Sequence, residues 1–139
     1  MSKAKCIPLA KELVEGHEGR RSTVYEDHLG ISTAGIGRNL ESKGLSDREI
    51  DFLFDNDINE CHEDLAHFRW FAEASTKQKA AFIDWRFQLG GAGIRKFKST
   101  IKYLESGDYK QASIEMLNSL WAKQTPKRAQ KISKLVGGQ

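Results

Sequence analysis

Cysteine, proline and long apolar runs are all scarce in this sequence, and each scarcity removes a class of answer. Two cysteines, Cys6 and Cys61, in 139 residues cannot build the dense disulfide framework of small secreted scaffolds, so both read as reduced, buried, small hydrophobes. Apolar stretches such as Ala80-Ala81-Phe82-Ile83 run for a few residues against the roughly 18 that a bilayer demands. No membrane span is expected. Behind the basic start Met1-Ser2-Lys3-Ala4-Lys5-Cys6, the stretch Ile7-Pro8-Leu9-Ala10-Lys11-Glu12 interrupts any apolar core of an export signal, and none is expected. Charge of one sign is not in excess either: 22 Lys and Arg against 19 Asp and Glu leave +3, and 39% hydrophobic residues are enough for a buried core. At about 150 residues per domain the length predicts one compact domain.

The charge that is present is uneven. Residues 41–64 carry nine acids against Lys43 and Arg48, a net of −7, whereas residues 85–102 and 120–139 each carry +5 with no acid. The acidic stretch would repel nucleic acid. The basic C-terminal half favours a polyanionic environment, which by charge alone is nucleic acid, anionic lipid or a bacterial wall.

Periodicity divides the chain. Leu9, Leu13 and Val14 recur at helical spacing, Pro8 suits a first turn, and Gly16 and Gly19 end the helix near Glu18. The period then changes: Thr23-Val24-Tyr25 is β-branched and aromatic, Asp27-His28-Leu29-Gly30 is turn chemistry, and residues 31–37 read as one returning strand weakened by glycine. Ser46-Asp47-Arg48-Glu49 fits a capping box ahead of a long amphipathic helix running to Phe68. Ser75-Thr76-Lys77-Gln78 repeats the box before a helix that Gly90-Gly91-Ala92-Gly93 should end. A short helix carries Phe97, Ile101 and Leu104, Asp108 caps another carrying Ala112, Met116, Leu117, Leu120 and Trp121, and Thr125-Pro126 opens the last. Sheet first and helices afterwards predict an α+β architecture.

Three polar residues fall at the joints of the first part. Glu18 closes a helix, where the macrodipole is an unfavourable neighbour for negative charge by about 0.3–1 kcal/mol, and a suitable place for a group that delivers a proton. Asp27 sits in the first turn of the sheet and Thr33 on the next strand. Taken singly they also read as a surface glutamate, a turn aspartate and a strand former. Together they make a pair of carboxylates and a hydroxyl able to flank one opening, the equipment for cleaving a glycosidic bond.

The pattern Glu18-Gly19, Tyr25-x-Asp27 with Asp27 nine residues after Glu18, Gly30, then Thr33-x-Gly35-x-Gly37 resembles the signature of phage-type lysozymes, glycoside hydrolase family twenty-four. Two further blocks, Phe87-Gln88-Leu89-Gly90 and Trp121-x-x-Gln124-Thr125-Pro126-x-Arg128-Ala129, are similar to the matching helices of that family, so the resemblance extends from about Leu9 to Ile132. It implies a two-lobed lysozyme-like fold within a single domain over 1–139, with a small antiparallel sheet lobe over about 12–60 and a helical lobe over about 61–136 packed with the N-terminal helix. The long helix would join them.

The resemblance further implies Glu18 as general acid, with Asp27 and Thr33 holding the attacking water on the opposite face of the sugar, and inversion at the anomeric carbon. Arg128 would pair with Glu18. Gly35 and Gly37 would let the sugar chain approach the strand backbone, although bulge glycines explain them equally. Phe87, Gln88, Thr100 and Asn39 would line the cleft, with a core role an equal alternative for Phe87. The substrate implied is peptidoglycan, cut between N-acetylmuramic acid and N-acetylglucosamine, with no cofactor and no metal. The same resemblance implies a monomer held in the host cytoplasm until a holin opens the membrane, then acting at the cell wall and periplasm, with no nucleic-acid partner.

Two departures stand out. Arg38 follows Gly37 where the family usually has histidine, and Asp57 stands where that histidine's partner lies, so an Arg38–Asp57 pair is expected. The stretch between Arg38 and Phe87 is also shorter than in the family. Rival readings explain less. His62 and His67 imitate a zinc-protease pair, but lie five residues apart and so do not share a helix face. Gly90-Gly91-Ala92-Gly93 lacks the strand and the Gly-Lys-Ser/Thr of a phosphate loop. His17 and His28 flank the site without a matching role. A basic nucleic-acid module would leave Glu18, Asp27 and Thr33 idle. A lytic transglycosylase or a non-catalytic wall-binding protein on the same scaffold are the nearer alternatives; the first needs no held water.

Overall fold

The computed structural model describes residues 3–139; Met1 and Ser2, which the sequence reading counted in the basic start, lie outside the described residues. Two compact units divide the chain, one ending at Asp51 and one running from Phe52 to Gln139. The first holds a small antiparallel sheet and the second is helical, a two-lobed α+β architecture.

In the first unit, helix α1 (Lys3–Glu18) begins five residues before Pro8, so Pro8 is not in the first turn as expected. Lys3, Ala4 and Lys5 are good helix formers and carry the helix upstream, leaving Pro8 inside it without an N–H to give the preceding turn. The end is where the sequence put it. Gly19, at φ 74°, returns its N–H to the Glu15 carbonyl at 2.8 Å and stops the helix at Glu18.

Strands β1 (Arg21–Glu26), β2 (Ser32–Gly35) and β3 (Arg38–Asn39) follow in the spatial order β1-β2-β3. Tyr25 pairs with Thr33 and Glu26 with Ser32, and a bulge interrupts β1 between Arg21 and Tyr25. The strand expected over 31–37 is shorter, ending at Gly35 as β2, and an unexpected second strand, β3, follows it from Arg38. Gly35 and Gly37 take φ of 67° and 68°, a left-handed conformation that glycine adopts without strain, and the chain reverses at Ile36 so that Thr33 faces Asn39 and Ala34 faces Arg38.

Helix α2 (Asp47–Leu65) runs across the division between units. Its predicted box is formed: Ser46 Oγ accepts from Glu49 N at 3.2 Å and Glu49 Oε1 accepts from Ser46 N at 2.9 Å. The helix stops at Leu65, short of Phe68, which instead adopts an extended conformation and starts a one-turn helix α3 (Arg69–Ala72). Helix α4 (Thr76–Arg95) has the second capping box, on Ser75 and Gln78. Gly90 breaks it at φ 79°, ψ 166°, but it resumes to Arg95 rather than ending at the glycines.

After α5 (Lys98–Glu105), Asp108 caps α6 (Tyr109–Leu117). The expected continuation to Trp121 is cut at Asn118, because Ser119 turns its hydroxyl to Ala122 N and caps a separate α7 (Leu120–Gln124). Helix α8 (Pro126–Val136) opens on its proline as predicted and packs on α4 and α6.

The core of this helical unit is built from Phe71, Phe82, Trp85, Ile94, Leu104, Met116, Ile132 and Val136, all with under 2% exposure or close to it, each worth about 1.5–3 kcal/mol for a fully buried large side chain. Asp64, near the end of α2, is clamped from α4: Arg86 Nε reaches Oδ2 at 2.7 Å and Arg95 Nη2 reaches Oδ1 at 2.7 Å. Those two guanidiniums, Arg95 first, hold the Asp64 carboxyl down at about 2 against the opposing effect of burial. Among the described residues no helix is long and apolar enough to cross a membrane.

Candidate functional site

The sheet unit collects most of the predicted site. Glu18 is the last residue of α1, exposed to solvent, and its side chain lies against the β2–β3 turn. A Cβ placed on Gly37 would fall 2.8 Å from Glu18 Oε2, 2.9 Å from Cδ and 3.1 Å from Cγ. The carboxyl therefore occupies the space that any other residue at 37 would fill.

Asp27 and Thr33 are tied to one residue between them. Asp27 Oδ1 accepts from Leu29 N at 2.8 Å and from Ile31 N at 3.0 Å, closing the turn between β1 and β2. Thr33, 4% exposed, donates its hydroxyl hydrogen to the Ile31 carbonyl at 2.8 Å. The Ile31 N–H, opposed by partial burial and helped by the Leu29 N–H and His28, holds the Asp27 carboxyl below the usual carboxylate range. Asp27 is thus a charged acceptor at neutral pH. Asn39 pairs with Thr33 across β2 and β3, and its Oδ1 accepts from Ser42 N at 3.1 Å.

Arg38 is held differently from expectation. Its Nη1 donates to Glu49 Oε1 at 2.9 Å and to the Gly44 carbonyl at 3.1 Å, and its Nη2 lies 2.5 Å from Glu49 Oε2. The partner is Glu49, in place of Asp57. Arg38, with Ser46, pulls the Glu49 carboxyl down to about 2. The capping box was legible in sequence, but the second use of the same carboxylate was not.

In the helical unit, Phe87 is half-exposed and meets Phe54 edge-on, with ring centroids 5.9 Å apart. Gln88 Oε1 accepts the Trp121 indole N–H at 2.8 Å, joining the second and third sequence blocks. Thr100 is 2% exposed and lies with Leu89, Phe97, Trp121 and Gln124 around a cavity of about 440 Å³. The carboxylate on Arg128 is that of Asp84, whose Oδ1 accepts from both Nε, at 3.0 Å, and Nη2. Asp84 carries no motif signal, since a pairing across forty-four residues is invisible to spacing arguments. His62 stacks edge-on against Phe71.

Comparison with known proteins gives a consistent result. The family model described as phage lysozyme matches residues 15–136. Among curated relatives, the probable T4-type lysozyme 2 of Dictyostelium discoideum is 27% identical over 152 residues, covering 88% of this chain and 89% of that protein. The probable T4-type lysozyme 1 of the same organism is 25% identical over 158 residues, covering 91% and 92%. The pre-baseplate central spike protein Gp5 of Enterobacteria phage T4 is 25% identical over 155 residues, covering 90% of this chain and 27% of the spike protein.

Proposed function

The chain belongs to the phage lysozyme family, and from that membership and the chemistry of the sheet unit we propose that it is a muramidase that hydrolyses the β-1,4 bond between N-acetylmuramic acid and N-acetylglucosamine in peptidoglycan, with inversion. The relatives bearing lysozyme names align over nearly their whole length, which supports carrying the hydrolase activity to this chain.

The observation that carries the inverting reading is the suspension of Asp27 and Thr33 from the two ends of Ile31. Asp27 spends Oδ1 on the turn N–H groups and keeps Oδ2 for a water. Thr33 spends its hydrogen on the Ile31 carbonyl, so toward water its oxygen acts as an acceptor. A water donating its two hydrogens to those oxygens presents a lone pair outward, and the charged carboxylate takes a proton as the water attacks. On the other face of the sugar, Glu18 protonates the departing glycosidic oxygen. Two carboxyl groups and a hydroxyl suffice, and no cofactor enters.

A lytic transglycosylase needs no such water, because the muramyl hydroxyl closes on its own anomeric carbon. In the hydrolytic reading the enzyme accumulates as a monomer in the host cytoplasm and reaches the wall once a holin-type partner opens the membrane. The basic stretches 85–102 and 120–139 would draw it to the acidic polymer.

Digestion of purified peptidoglycan, followed by mass spectrometry, tests the reading. Products with reducing-end muramic acid are expected, first appearing as the α-anomer by NMR, and Glu18→Gln should lower the rate by at least 100-fold. Anhydro-muramyl ends would replace hydrolysis by transglycosylation, and undiminished cutting by Glu18→Gln would remove Glu18 from the mechanism.

A further inference from the structure

We infer that Gly37 is a positioning residue for Glu18: the missing side chain at 37 is the seat in which the catalytic carboxyl rests. This goes a step beyond the muramidase reading and depends on it. The left-handed φ of 68° at Gly37 accounts for a glycine but not for this one. Gly35 has the same φ, 67°, with nothing within 4 Å of its would-be Cβ, whereas at Gly37 that atom would meet three atoms of the Glu18 side chain between 2.8 and 3.1 Å.

Glu18 ends a helix and is exposed, so its own three side-chain torsions leave the carboxyl free to sweep solvent. The turn between β2 and β3 supplies the surface that limits this sweep. The atoms that would meet a Cβ belong to the movable end of Glu18 rather than to backbone. An added methyl is therefore accommodated by moving the carboxyl, and the damage falls on catalysis instead of folding. A displacement of about 1 Å at a reacting group costs up to about 100-fold in rate.

The test compares Gly37→Ala and Gly37→Asn with Gly107→Ala. Gly107, between α5 and α6, has φ 78° and nothing within 4 Å of its would-be Cβ, so it carries backbone strain alone. Asparagine tolerates the left-handed region better than alanine and keeps the fold intact while still bringing a Cβ to position 37. Initial rates are measured on soluble uncrosslinked glycan strands, with thermal unfolding of each variant and Glu18→Gln alongside. Gly37→Ala and Gly107→Ala should lower Tm alike, by about 3–10 °C. Both Gly37 variants should lose about 10- to 100-fold in kcat with KM within about 2-fold, and Gly107→Ala should keep its kcat. Unchanged kcat in a folded Gly37 variant overturns the inference. So does a raised KM with kcat kept, because it would mean that the glycine makes room for sugar. Full activity of Glu18→Gln overturns the muramidase mechanism together with this inference, whereas an inactive Glu18→Gln beside a fully active Gly37→Ala overturns the seat alone.

Discussion

Replacing Asp64 by asparagine removes one charge from the clamp that joins the end of α2 to α4, next to the Gly90 break that follows Phe87 and Gln88. The Asp64 side chain is 22% exposed and Arg86 15%, while Arg95 is 43% exposed. Its carboxyl titrates at about 2 in the folded chain against an ordinary 3.8. At about 1.36 kcal/mol per pH unit this difference corresponds to about 2.5 kcal/mol, and solvent screening on the Arg95 side reduces it to about 1–2 kcal/mol. A carboxyl whose pKa falls on folding contributes its full stability above the unfolded value and loses it as pH drops through the folded one. Urea unfolding of wild type and Asp64→Asn should therefore differ by about 1–2 kcal/mol at pH 7, by less below pH 4, and by little near pH 2. A gap that stays constant from pH 7 to pH 2 would mean that the asparagine acts by shape, and that the two guanidiniums contribute nothing through charge.

Two other perturbations probe predicted site residues, one in each unit. Gln88→Leu leaves the Trp121 indole N–H without its acceptor in a residue 5% exposed, so stability should fall by about 1–3 kcal/mol. Trp121→Phe in the same chain should recover part of that loss, and strict additivity in thermal unfolding would argue against the bond. For Asp27, a carbon-13 titration should place the carboxyl midpoint below the ordinary value of about 3.9, because the Ile31 N–H favours its charged form. If Asp27 is the working base, the acid limb of kcat/KM follows the same midpoint, with activity held above it and lost as pH falls through it. A midpoint at or above the ordinary value would contradict the turn geometry.

What the sequence made legible was local. The boxes at Ser46 and Ser75, the Asp108 cap, the proline opening α8 and the Gly19 stop at Glu18 each depend on residues within one turn of each other, and all are present. Strand β3 has two residues, too few to show an alternation, and only the positive φ of Gly35 and Gly37 reveals that the chain turns back. Ser119 was hidden because Leu120 and Trp121 continue the apolar spacing of α6, so the break shows only in where its hydroxyl points. The ion pairs were least legible. Arg38 takes Glu49 instead of Asp57, Arg128 takes Asp84, and Asp64 takes two arginines, choices made by tertiary proximity over separations of eleven to forty-four residues. At the site, motif spacing brought out Glu18, Asp27 and Thr33, but not the residue that connects the last two.

That residue, Ile31, takes part through its main chain: its amide donates to the Asp27 carboxylate, and its carbonyl accepts from the Thr33 hydroxyl and from the Asp27 main-chain N–H. The two proposed water ligands consequently travel as a coupled pair, and a lengthened or shortened hairpin loop would displace both at once. Diversity at position 31 should be broad among side chains and closed to proline, whose nitrogen has no hydrogen to offer. An engineer seeking to retune the candidate site would do better to vary what surrounds this hinge of the hairpin than to alter its length.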